Sequence, residues 1–162
     1  MITNLPSLVR ATVSLCLVFT IAGSAFAVDS PIVNGAKDVK WGPAPPTLPK
    51  GEMLSFMAGD PAETGPVSVR LKLSAGYVIA RHWHPTDEQI TVLSGAMAIG
   101  MSNVLDKAKG QTLRAGGFGV APANMHHYAW TTGGATIQLN LMGPLELTCV
   151  NTADDPRTPA AK

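Results

Sequence analysis

Residues 67–73 alternate without a break: Val67, Val69, Leu71 and Leu73 are apolar, and Ser68, Arg70 and Lys72 between them are polar. A period of two marks a strand with one buried face, whereas the buried stripe of a helix recurs every three to four residues. The texture continues on both sides. Residues 53–58, 77–84, 89–93, 96–101, 119–121, 127–131 and 136–141 read as further short strands. Turn residues separate them at Gly59-Asp60-Pro61, Ala75-Gly76, Pro85-Thr86, Ser94-Gly95, Gly116-Gly117 and Gly133-Gly134. Short strands at near-even spacing predict an all-β fold, a closed sandwich or barrel. Residues 103–109 are the one helical candidate, and a weak one.

The chain has 162 residues, enough for one domain. Hydrophobic residues make up 46% and charged residues 14%, a globular composition. The net charge is +1 and Lys and Arg never cluster, so neither nucleic acid nor an anionic membrane surface is an expected partner. Residues 1–27 differ from the rest: Arg10 is their only charge, residues 11–27 are apolar or small, and they end in Ala25-Phe26-Ala27, a small-x-small cleavage pattern. They read as a signal peptide, too short for a membrane span, and predict a periplasmic or secreted protein with no membrane attachment after cleavage. Removal takes Arg10 and Cys16 and leaves basic and acidic residues balanced. Cys149 then stands alone, so no internal disulfide forms, and it reads as a small buried residue near a strand end.

Residues 28–50 carry five prolines and read as an extended arm with at most an edge strand at 39–41. Residues 51–150 hold the barrel, and 151–162 form a polar tail that opens on an Asp-Asp-Pro turn.

The four histidines fall in two pairs, His82 with His84 and His126 with His127. Residues two apart on a strand point to one face, so His82 and His84 converge while Trp83 turns away. Pro85-Thr86-Asp87 bends the chain, and Glu88 opens the next strand where a hairpin brings it back beside them. Two imidazoles and a carboxylate suit one divalent ion such as Fe(II), Mn(II), Ni(II), Cu(II) or Zn(II). Without an ion the set would be a costly polar cluster to bury.

Residues 76–95, GYVIARHWHPTDEQITVLSG, resemble the first motif of the cupin superfamily at every fixed position: Gly76, His82, His84, Glu88 and Gly95. Residues 116–131, GGFGVAPANMHHYAWT, are similar to the second motif, with Gly116, Pro122 and His127 in place and with Asn124 and Thr131 standing where the family has Gly and Asn. Asn tolerates a positive φ better than most residues, so the turn survives. The resemblance covers about residues 51–150. It implies a cupin-type jelly-roll β-barrel whose metal is held by His82, His84, Glu88 and His127, and homodimers of the kind cupins often form. His126 becomes a ligand only if the strand register slips by one.

Strand parity places Val78 and Ala80 inward beside His82, and Ile90 and Val92 inward beside Glu88. Gln138 and Asn140 share one face, either toward the metal as a candidate substrate pocket or toward solvent. Tyr128 and Trp130 read as packing residues, and Met53, Met57, Met97, Met101, Met125 and Met142 as core filler. Arg81 flanks the site. These features suit a metal-dependent enzyme acting on a small molecule, with oxygenase-type chemistry (a dioxygenase or other oxidoreductase) leading; the alternative is a non-enzymatic metal or small-molecule binding protein.

Overall fold

The computed structural model describes residues 30–158, so the signal peptide expected at 1–27 and the last residues of the tail lie outside it. Strands dominate the described residues: β1 (Gly42–Pro43), β2 (Glu52–Ala58), β3 (Gly65–Leu73), β4 (Val78–Trp83), β5 (Glu88–Met101), β6 (Gln111–Arg114), β7 (Phe118–Ala121), β8 (His127–Trp130), β9 (Ala135–Gly143) and β10 (Thr148–Cys149). All pairings are antiparallel, in the order β1-β2-β3-β9-β5-β8-β4-β10, with β6 and β7 added to β5. The sheet curls into a half-barrel of the jelly-roll kind, as the all-β expectation required. Among the described residues no helix is long and apolar enough to cross a membrane. The weak helix at 103–109 reduces to one 3₁₀ turn, Lys107–Lys109, capped by the Asp106 carboxylate.

Strand β5 joins the two walls. Its first half pairs with β9 and β7, and its second half with β6 and β8. The sequence breaks this strand at Ser94-Gly95, but the structure runs straight through: both residues pair with β9, and the bulge falls just before them at Leu93, between Val92 and Ser94. One extra residue reverses the facing: Ile90 and Val92 are buried before it, Met97 and Ile99 after it. Gly95 is needed there, since its φ is +73 and a Cβ would sit 2.3 Å from the Gly134 carbonyl oxygen. Three short strands carry too little pattern to be read from sequence: β6, β10 and β1, the last falling just beyond the edge strand expected at 39–41.

The core is aliphatic, with Val69, Leu71, Ile90, Val92, Ile137 and Leu139 packed between the walls. Each such side chain stabilises by roughly 1.5–3 kcal/mol when fully buried. The methionines depart from expectation: Met97 is buried, but Met53, Met101, Met125 and Met142 are exposed, because they fall on the outward phase of their strands or in loops.

At the end of β2 paired with Leu73, Glu52 is buried with no hydrogen-bond donor on either carboxylate oxygen. The neighbouring Tyr77 hydroxyl donates instead to the Pro49 carbonyl (2.6 Å) and so ties the arm to the barrel. Burial pushes the Glu52 carboxyl up to about 7. The folded state therefore holds this proton more tightly than the unfolded chain, so the contribution is full below the ordinary value of 4.5 and is lost as pH rises through about 7. Glu52→Gln is expected to raise the melting temperature at pH 8, with the gain vanishing near pH 4; thermal denaturation of both proteins across that range checks it.

Candidate metal centre

The local event that builds the site is a second bulge, in β4. Ile79 pairs with Ala129 and His82 with His127, and the register shifts between them. Tyr77 and Ile79 are buried, then His82 and His84. Plain alternation would have placed Val78 and Ala80 inward with His82; the bulge puts Ile79 there instead, and Val78 and Ala80 are only half-buried. Bulges commonly re-aim side chains beside functional sites.

His82, His84, Glu88 and His127 meet inside the barrel, all four buried. Their donor atoms lie within 4.8 Å of one another. Glu88 starts β5 opposite Ala121, and His127 starts β8 opposite His82. The first-motif residues and the second-motif histidine are thus brought together as a single cluster.

Each imidazole is held from behind. The Nδ1 atoms of His82, His84 and His127 contact the carbonyl oxygens of Ala80 (2.7 Å), Glu146 (2.5 Å) and Met125 (2.9 Å). A carbonyl only accepts, so each Nδ1 carries the hydrogen and each Nε2 presents a lone pair to the centre. His84 Nε2 and His127 Nε2 are buried and make no directed hydrogen bond. Glu88 lies across from them, with Oε1 3.6 Å from His84 Nε2 and Oε2 3.2 Å from His127 Nε2. Leaving such nitrogens orphaned costs about 1–3 kcal/mol each. Three nitrogens and one carboxylate arranged this way fit one divalent ion of the borderline class.

The electrostatics agree. Burial, reinforced by His127, pushes His82 down to about 3, so it is neutral. Burial alone would raise Glu88, but the facing His127 and the other imidazoles outweigh it and hold the carboxyl below its usual range. Burial would likewise lower His127, yet Glu88 raises it. Glu88 thus favours the charged form of His127, and a bound divalent ion would take the place of that charge.

Two loops fix the spacing. Asp87 accepts the Ala123 N–H (2.7 Å), and the His84 carbonyl accepts the Asn124 N–H (2.8 Å), so the β7–β8 loop is bolted to the β4–β5 turn. That turn does not close the expected hairpin: β8 lies between β4 and β5, and it is through β8 that Glu88 comes beside His82 and His84. Asn124 sits at φ +61, the one non-glycine residue at positive φ among those described, as its place in the second motif required. Thr131 is buried; its hydroxyl donates to the Ala96 carbonyl and accepts from Gly134 N–H. No motif position marks Asp87, and its place beside Glu88 in the turn after β4 is the one sequence signal for it. The anchors Glu146, Ala80 and Met125 act through backbone, so no side chain announces them.

The four residues form one wall of a cavity of about 460 Å³. Gln138 and Asn140 do not reach it. They sit on the outer face of β9, where Gln138 accepts from Arg70 (3.0 Å) and Asn140 from the Ser68 hydroxyl (2.7 Å), while Ile137 and Leu139 line the cavity. The candidate substrate pocket at Gln138 and Asn140 is therefore corrected: β9 keeps an unbroken alternation, and its apolar phase is the inward one.

The remaining candidates lie around the site. His126 points away and pairs through Nδ1 with the Asn103 side chain (2.5 Å), so the register has not slipped. Arg81 donates to the Asn103 carbonyl and approaches Asp154. Tyr128 is fully buried, its hydroxyl donating to the Asp106 carbonyl, and it stacks on Trp130. Cys149 is half-buried in β10 beside His82.

Compared with solved structures, the chain is similar to the polyketide cyclase RemF from Streptomyces resistomycificus (20% identity, 76% of this chain and 88% of that one, TM-score 0.61). It is also similar to a putative acetylacetone dioxygenase from Methylibium petroleiphilum PM1 (22%, 82% and 91%, TM-score 0.58) and to an RmlC-like cupin from Shewanella frigidimarina NCIMB 400 (14%, 72% and 94%, TM-score 0.56). At these identities the likeness establishes the cupin fold. No curated protein matches the sequence. The family model described as a domain of unknown function, DUF4437, matches residues 25–148, and the chain belongs to that family.

Proposed function

We propose that this cupin is a metal-dependent enzyme acting on a small molecule, with oxygenase-type chemistry as the leading class. One divalent ion is held by His82, His84, Glu88 and His127. The observation that carries the reading is the set of pinned imidazoles: three Nδ1 atoms committed to backbone carbonyls and buried Nε2 atoms left without partners, facing one carboxylate. When bound, the ion supplies a Lewis-acid or redox centre. The chain supplies the rest. Its carbonyls fix the tautomers, the β7–β8 loop sets the His127 position, and the apolar barrel excludes bulk water from the reacting end. The apolar stretch ending at Ala27 supports the further reading that the protein acts in the periplasm or outside the cell.

Elemental analysis of protein isolated from its native compartment is expected to find one transition metal per chain. His127→Ala should weaken metal binding by more than about 100-fold while far-ultraviolet circular dichroism stays that of a β protein. Protein without any transition metal, with binding unchanged in that variant, sinks the reading. Oxygen uptake by metal-loaded protein with a panel of phenols and small oxo-acids tests the reaction class. Tight metal binding without turnover for every ion would leave a binding protein.

Binding must also displace any proton that Glu88 favours on His127. Since Glu88 raises His127 above the ordinary 6.5, metal affinity is expected to climb as pH rises through and beyond that value and to fall below it. Calorimetry in two buffers of different ionisation enthalpy should register proton release near pH 7, and a flat affinity from pH 6 to 8 would contradict the assignment.

A further inference from the structure

We infer that the molecule bound here is mostly hydrocarbon, with a single oxygen-bearing head group at the His82–His84–Glu88–His127 end and no second charged or hydroxyl-rich end. The head-group half of this inference rests on the metal-centre reading; the hydrocarbon half rests on the cavity alone.

Apart from the four cluster residues, Thr47 is the one polar side chain that lines the cavity. The walls are apolar: Leu54, Val69, Leu71, Ile90, Ile137 and Leu139 come from the β2-β3-β9-β5 wall, and Ile79, Met97, Ile99 and Ala129 from the wall that β4 and β8 build with the second half of β5. The lining residues outside the strands carry the same chemistry, with Pro45 and Leu48 from the arm, Pro61 from the β2–β3 loop, and Pro144, Leu145 and Leu147 from the β9–β10 connection. No Arg, Lys, Asn, Gln or Ser is among the lining residues. The polar groups of β3 and β9 pair with one another on the outside instead, Ser68 with Asn140 and Arg70 with Gln138.

Most binding cavities place a few convergent polar groups to fix both ends of a ligand. This one places them at one end only. A sugar, a sugar acid or an amino acid would bring hydroxyl or charged groups against walls that cannot pair them, at about 1–3 kcal/mol for each neutral group left unpaired and more for a charge. At the polar end, one carboxylate facing a divalent ion leaves an excess of positive charge. A head group able to shed a proton, such as a phenol or an enol, complements it.

The test is calorimetric titration of the full mature protein, both metal-free and loaded with Zn(II), using para-tert-butylphenol, para-hydroxybenzoate and galacturonate. The first two share a head group and differ in whether the far end is hydrocarbon or charged. The alkylphenol is expected to bind, the benzoate to bind at least about 100-fold more weakly, and galacturonate not to bind. Equal or tighter binding of the benzoate or galacturonate overturns the inference, and so does silence from all three probes. If Zn(II) does not bind, the metal-centre reading fails, while the order of the probes on metal-free protein still decides the hydrocarbon half. Ile137→Trp, which fills the cavity from its apolar wall, should abolish alkylphenol binding and leave metal content unchanged. Leu139→Phe serves the same purpose if the larger change prevents folding. Alkylphenol binding undiminished in the folded variant would place the molecule elsewhere and overturn the inference.

Discussion

An imidazole has two nitrogens, and the backbone of this barrel claims one from each of three histidines. Everything distinctive about the interior depends on that claim. Because Ala80, Glu146 and Met125 accept at Nδ1, the tautomers are fixed and the rings cannot turn. The Nε2 atoms must then face inward, where the surroundings offer them only each other and Glu88. The anchors are spread through the fold. Ala80 lies in the bulge of β4, Met125 lies in the β7–β8 loop, and Glu146 lies beyond β9. An error in any one of those three elements would misdirect a different ring.

The two bulges express one device used twice. A regular strand can keep only one parity facing the core, and this barrel needs both. In β4 the inward phase passes from Tyr77 and Ile79 to His82 and His84. In β5 it passes from Glu88, Ile90 and Val92 to Met97 and Ile99, so a single strand can serve both walls. Each inserted residue costs ladder hydrogen bonds locally. The return is a polar cluster and an aliphatic wall that share the same strands without mixing.

The sequence discloses this architecture unevenly, for physical reasons. Strand character survives translation into pattern, since alternation in 67–73 directly reflects one buried face, and β3 follows it residue for residue. The cluster was legible for a similar reason: His82, His84 and Glu88 lie close together in the chain, and His127 followed from a motif with Asn124 at its turn. Bulges leave no such trace. Nothing in Ala80-Arg81 or at Leu93 states that a strand will absorb an extra residue, so plain alternation points Val78 and Ala80 inward and Ser94-Gly95 reads as a break in β5. Gln138 and Asn140 show the complementary limit. Period two says that two residues share a face, but only the partners of β9 decide which face meets the cavity.

The pairing of β3 with β9 has a consequence for when a complete cluster can exist. Contacts such as Ser68 with Asn140 span 72 residues of chain, so the wall closes only after nearly the whole domain is available. His82 and His127 converge through the separate β4–β8 pairing, but the His84 ring waits on the Glu146 carbonyl just beyond β9, and the unfolded chain has no preformed site. Folding dominated by such distant pairings is slow relative to local structure formation. An ion held by this cluster would therefore be drawn from the pool that surrounds the chain when the segment after β9 docks, and the compartment of folding would weigh on its identity beside the ligand set.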